Sequence, residues 1–98
     1  MIRVELPAHL KALANVSGEV RVEPLGAPTL DAIIDAIEAR FPTLRGTIRN
    51  HGERRRRPLL RIFACNTDLS HVDPETLVPE AVANGSEPLL IIGAMAGG

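Results

Sequence analysis

Tryptophan and tyrosine are absent from this chain of 98 residues, and phenylalanine occurs only twice. A surface that stacks nucleic-acid bases is therefore not expected, because such surfaces are built from aromatic rings. The single cysteine, Cys65, excludes an internal disulfide and fits a reducing cytoplasm. No apolar run approaches the roughly 20 residues that span a bilayer. The segment Met1-Ile2-Arg3-Val4-Glu5 reads as a strand and has none of the layout of a signal peptide. A net charge of −1 gives no bulk attraction to nucleic acid or membrane. His9, His51 and His71 show no metal-ligand spacing, so no metal site is expected. There is also no nucleophile elbow, phosphate loop or paired-carboxylate motif, so an intrinsic catalytic site is not expected.

What the chain does contain is alternation and one strong amphipathic stretch. Its length suits one domain that buries roughly 60–65% of its unfolded surface. Ile2, Val4 and Leu6 alternate with Arg3 and Glu5, and Val20 and Val22 alternate with Glu19, Arg21 and Glu23. Both patterns are those of half-buried strands. Ala8 to Gly18 holds a short helical turn carrying Leu10 and Leu13, which makes the two strands a long-looped hairpin. Thr29 is placed to cap a helix, Asp31 lies in its first turn, and Pro42 ends it. Leu30, Ile33, Ile34, Ile37 and Phe41 fall on one face of that helix, with Asp31, Asp35 and Glu38 on the other. A short helix is expected over 44–50, a polar loop over 51–57, a third strand over Leu59 to Cys65 and a fourth over Leu89 to Ile92. Between the last two strands, Asp73 to Leu77 reads as turns with a single helical turn nearby.

Strand, strand, helix, strand, strand in a short domain argues for an α+β fold with one main helix on a mixed sheet of four to five strands. The β-grasp is such a fold: its first and last strands lie side by side and parallel, a pairing that needs a long crossover. The expected organisation is a β-grasp domain over 1–93 followed by a flexible tail over 94–98.

Charge is distributed unevenly. Arg54 to Arg57 form a block and Arg61 is the last basic residue, after which come Asp68, Asp73, Glu75, Glu80 and Glu87. The arginine block reads first as a solvated loop, the alternative being a grip on phosphate or an acidic partner. Cys65 reads first as a small core hydrophobe, the alternative being a reactive thiol. In the third strand Leu60, Ile62 and Ala64 share one face, and Leu59, Arg61, Phe63 and Cys65 the other. If the second face is open, Phe63, Leu90 and Ile92 form an apolar patch beside the tail; the alternative is a central strand buried on both faces.

The tail itself, Ala94-Met95-Ala96-Gly97-Gly98, is the most informative segment. At a glycine usage of about 7%, a terminal Gly-Gly arises by chance in roughly one chain in two hundred, against the plain reading of a frayed end. Glycine has no Cβ, so such an arm can pass through a narrow channel into another protein's active site. Five extended residues reach at most about 17 Å.

These features together resemble the ubiquitin-like sulfur carriers, the MoaD/ThiS-like family that includes the small subunit of molybdopterin synthase. The resemblance covers essentially the whole chain. It is carried by Leu10-Lys11-Ala12-Leu13-Ala14, Thr29-Leu30 with Leu44-Arg45-Gly46, Arg61-Ile62-Phe63, Asp68-Leu69 and the Gly97-Gly98 end. Members commonly read Val-Asn-Gly-x-Asp after the third strand, where this chain has Ala64-Cys65-Asn66-Thr67-Asp68.

The resemblance implies a carrier with no bound cofactor and no active site of its own. A ubiquitin-activating-type enzyme would use ATP and magnesium to adenylate Gly98, and sulfur would displace AMP to leave a thiocarboxylate. Gly97 would give access, while Phe63, Leu90, Ile92, Met95 and Lys11 would meet partners. The acceptor would be a biosynthetic enzyme such as the large subunit of molybdopterin synthase, in the cytoplasm. Carriers for thiamine or cysteine synthesis, a protein modifier and a non-activated interaction module remain open alternatives.

Overall fold

The computed structural model describes residues 1–48 and 60–93. Their order is β1 (Ile2–Glu5), α1 (Ala8–Ala14), β2 (Val20–Val22), α2 (Leu30–Arg40), β3 (Leu60–Ala64), β4 (Thr67–Asp68), α3 (Glu80–Ala83) and β5 (Leu89–Gly93). The strands form one sheet in the order β2-β1-β5-β3-β4. β1 and β5 are parallel, with Val4 beside Leu89 and Glu5 beside Leu90. Every other pair is antiparallel.

Each helix starts and stops where its residues dictate. The Thr29 hydroxyl accepts a hydrogen bond from the Ala32 amide at 3.0 Å, which closes the first turn of α2. The next exposed donors, the amides of Leu30 and Asp31, reach the carbonyls of Thr76 and Pro74 at 3.2 and 2.9 Å. The turn region over 73–77 thus satisfies the helix terminus as well as crossing it. At the other end, Phe41 precedes Pro42 and leaves the helical region (φ −126°, ψ 81°), as a residue before proline must. α1 ends on Asn15 in the left-handed conformation, whose amide bonds to the Ala12 carbonyl.

One face of the sheet carries the core. Ile2, Val4 and Leu6 from the first strand and its end, Val20 and Val22 from β2, and Leu89 and Ile91 from β5 are all buried there. Ile33 and Ile37 of α2 are fully excluded from solvent against them. Burial of each such side chain contributes about 1.5–3 kcal/mol. The anticipated apolar face of α2 is therefore the packed one.

Three local expectations are corrected. The short helix over 44–50 is instead a 3-10 turn over Pro42–Leu44 followed by turns through Thr47, anchored by the buried side chains of Leu44 and Ile48; residues 49 and 50 lie outside the described region. The third strand ends at Ala64, and a fifth strand, β4, follows it directly. Cys65 is accordingly an exposed turn residue and not a core hydrophobe. Cys65 and Asn66 have φ of 52° and 63°, joining paired residues Ala64 and Thr67 through a two-residue turn with both positions left-handed. Such turns match the twist of the flanking strands but favour Asn or Gly, and cysteine has no comparable tolerance for positive φ. Replacing Cys65 by glycine should stabilise the domain by about 0.5–1 kcal/mol. The check is a higher urea midpoint with an unchanged slope.

Candidate functional site

β5 is the central strand, bonded to β1 on one side and β3 on the other, and it ends at Gly93 opposite Leu60. Gly97 and Gly98, to which the sequence assigns the chemistry of the tail, and Met95, expected to meet partners, lie outside the described residues, as does the Arg54–Arg57 block. What the structure gives is the platform from which the chain continues past Gly93.

That platform has an inner and an outer side. Ile62 and Ile91 pair across β3 and β5 on the inner side and are 3% and 2% exposed. On the outer side, Phe63 pairs with Leu90 and Arg61 with Ile92. Phe63 and Leu90 are half-buried, whereas Ile92 is 44% exposed. The alternation therefore leaves the outer face open, and the two central strands are not covered on both sides. Phe63, Leu90 and Ile92 form a continuous apolar strip that runs to the end of β5.

Ion pairs frame the strip. Lys11 Nζ lies 2.7 Å from Glu5 Oε1, and Glu5 is the register neighbour of Leu90. Lys11 thus stands at the border of the patch on the α1 side, engaged with Glu5 rather than simply solvated. On the opposite side Arg61 Nη1 lies 3.2 Å from Asp68 Oδ2. Hydrogen bonds from the Ser70 hydroxyl and amide, with Arg61 nearby, hold the Asp68 carboxyl below its ordinary range. Farther out on β1, Arg3 forms a two-pronged pair with Glu19, both contacts at 3.0 Å, and this hydrogen bonding lowers the Glu19 pKa. The guanidinium also donates to the carbonyls of Gly85 and Ser86, tying β1 to the turn that feeds β5. The border charges are therefore matched within the chain, which leaves the apolar centre as the distinguishing feature of this face.

His9 belongs to the platform and was invisible in the sequence. A Cβ placed on Gly93 would lie 2.9 Å from His9 Cε1 and 3.6 Å from Pro7 Cβ. The Pro7–His9 turn thus walls the end of β5, and a glycine there fits without displacing the imidazole. Nothing in residue spacing signals this contact. It arises only because β1 and β5 are parallel neighbours, which brings the residues after β1 beside the end of β5. The assignment of faces can be tested by contrast. Ile91→Ala should cost about 2–5 kcal/mol in urea unfolding, whereas Ile92→Ala should cost about 0.5 kcal/mol or less.

No protein-family model matches the chain, and no curated protein matches it in sequence. Solved structures do. A chain of the Amycolatopsis orientalis BexX/CysO complex superimposes with a TM-score of 0.77 at 22% identity, covering 100% of both chains. SAMP1 from Haloferax volcanii superimposes with a TM-score of 0.73 at 18% identity, over 98% of this chain and 97% of that one. The Haloferax volcanii HVO 2177 protein gives 0.62 at 14% identity, over 98% and 84%. At these identities the likeness is one of fold, and it agrees with the strand order and the central parallel pair: the chain has the β-grasp fold of the ubiquitin-like proteins.

Proposed function

We propose that this protein is a sulfur carrier whose Gly98 carboxyl is adenylated and converted to a thiocarboxylate. The observation that carries the reading is the position of β5: a central strand that ends at Gly93 beside an open apolar strip, three residues before Gly97-Gly98. The MoaD/ThiS-like resemblance of the sequence supports it. So does the fold shared with a chain from the BexX/CysO complex, an assembly of two different proteins.

The chemistry sets what each part must do. A free peptide carboxylate has a pKa near about 3.5 and is ionised at neutral pH, so its carbon is a poor electrophile. In the proposed sequence a carboxylate oxygen of Gly98 attacks the α-phosphorus of ATP and pyrophosphate leaves. A hydrosulfide then attacks the acyl carbon, a C–S bond forms, and AMP departs with the electrons of the broken C–O bond. Both steps take place in the activating enzyme, with its ATP and magnesium. The carrier contributes an acyl carbon at the end of an arm whose last two residues have no side chain, and a docking face centred on Phe63, Leu90 and Ile92, with Lys11 at its edge and Met95 within the arm. The proposed acceptor is a biosynthetic enzyme, the large subunit of molybdopterin synthase being the first to test, and the setting is the cytoplasm.

The test is reconstitution with a ubiquitin-activating-type adenylating enzyme, ATP, magnesium and sulfide, read by intact mass. One oxygen should be replaced by sulfur, and fragmentation should place the exchange on Gly98. Gly98→Val should abolish the exchange without changing the melting temperature; normal activation of that variant would contradict the model. On the docking face, Ile92→Asp should weaken binding of the activating enzyme at least about tenfold, as loss of a central apolar contact does. Titration calorimetry against the wild type provides the comparison.

A further inference from the structure

The opposite border of the molecule carries a second surface that the tail chemistry does not use. β2 pairs with β1 on one side and, among the described residues, has no strand on the other. The Arg21 carbonyl points out from this free edge, where Arg40 Nη1 donates to it at 2.7 Å. Backbone groups alternate sides along a strand, so those of Arg21 and Glu23 face outward while those of Val20, Val22 and position 24 face β1. Pro24, which lacks an N–H, therefore removes no donor from the outer edge.

Beside the edge, on the helix side, lies a groove of about 600 Å³. Its apolar lining is Val22, Ala32, Ala36 and Ala39 of α2, Met1 and Leu25, and Arg21, Glu23, Asp35 and Arg40 also line it. Met1 and Leu25 are 63% and 94% exposed, the two largest exposures of big apolar side chains among the described residues. A free strand edge next to an apolar groove suits an added strand whose inward side chain covers the groove.

Charge selects the occupant. An antiparallel strand fits best with an acid opposite Arg21, an apolar residue opposite Val22 and a base opposite Glu23. Read in the reverse direction, Glu23-Val22-Arg21 of this same chain is that sequence. We propose that the β2 edge and its groove form a two-fold homodimer interface with the axis at Val22. Arg21 then faces the partner's Glu23 twice, Val22 stays in the core of its own copy, and the exposed Leu25 and Met1 of both copies close over the paired grooves. An isologous contact of this kind is self-limiting. The neighbouring register, with its axis at Arg21, sets arginine against arginine and Glu19 against Glu23, so charge disfavours that slip.

Two features set its strength. The edge is only three residues long, and Arg40 already occupies one lone pair of the Arg21 carbonyl, leaving the other for the partner's Glu23 amide. The association is therefore micromolar or weaker, and it is concentration-dependent. It leaves the Phe63–Leu90–Ile92 strip and Gly93 of each copy free, because β5 lies two strands inward from β2. The proposal stands independently of the sulfur-carrier reading.

Sedimentation velocity from about 10 µM to about 1 mM provides the test. The wild type should shift from monomer to dimer across that range. Arg21→Glu and Glu23→Arg should each raise the dissociation constant at least about tenfold, and the two combined should restore it to within about threefold. Leu25→Asp should abolish the dimer, and circular dichroism should show all four variants folded, since the three side chains are exposed. A wild type that stays monomeric at the highest concentration overturns the proposal. So does a dimer indifferent to either charge reversal, or a combined variant as weak as the single ones.

Discussion

The parallel contact between β1 and β5 is the constraint on which the rest of the structure depends. Parallel neighbours cannot be joined by a tight turn. The chain must therefore cross over the sheet somewhere between Glu5 and Leu89, and α2 does so on the inner face, between β2 and β3. Because β1 is also tied to β2, and β5 also to β3, the last strand ends inside the sheet with neighbours on both sides. A chain continuing past Gly93 thus starts from a strand bonded on both sides. The same contact brings Pro7 and His9 beside Gly93 and makes Glu5, with its partner Lys11, a neighbour of Leu90.

The two faces of the sheet have separate roles. The inner one is continuous with α2 and supplies the stability of a small domain through Val4, Ile33, Ile37, Leu89 and Ile91. The outer one keeps an apolar strip on β3 and β5 and resolves its charges locally through Lys11–Glu5, Arg61–Asp68 and Arg3–Glu19. A surface with its border ion pairs already formed does not depend on charges from a partner, and its recognition rests on shape and apolar area. A carrier that must visit first an activating enzyme and then an acceptor suits such a face.

Much of this was legible in the sequence because the periodicities were strong. The alternation in 2–6 and 19–23 and the three- and four-residue spacing of Leu30, Ile33, Ile34 and Ile37 each admit one packing face. The face bearing Phe63, Leu90 and Ile92 followed from alternation together with one charged marker, Arg61. What escaped depends on short-range turn chemistry or on contacts distant in sequence. Cys65 continues an apolar run, so alternation draws it into the strand; only the pairing of Ala64 with Thr67 turns it out into solvent. α3 is a four-residue helix, too short to show a period, and its Val82 is buried through tertiary packing alone. His9 carries no motif at all, and its place beside Gly93 exists only once the first and last strands are adjacent.

The central claim is that this fold serves to present a glycine carboxyl to be made into a sulfur donor. The most direct measurement is intact mass, with C-terminal fragmentation, of the protein isolated from its native host under conditions that preserve thioacids. The account predicts a population in which one oxygen of Gly98 has been replaced by sulfur, and in which hydrolysis restores the carboxylate with release of hydrogen sulfide. A Gly98 that remains an unmodified carboxylate throughout, with its activating enzyme present in the same cells, would contradict it.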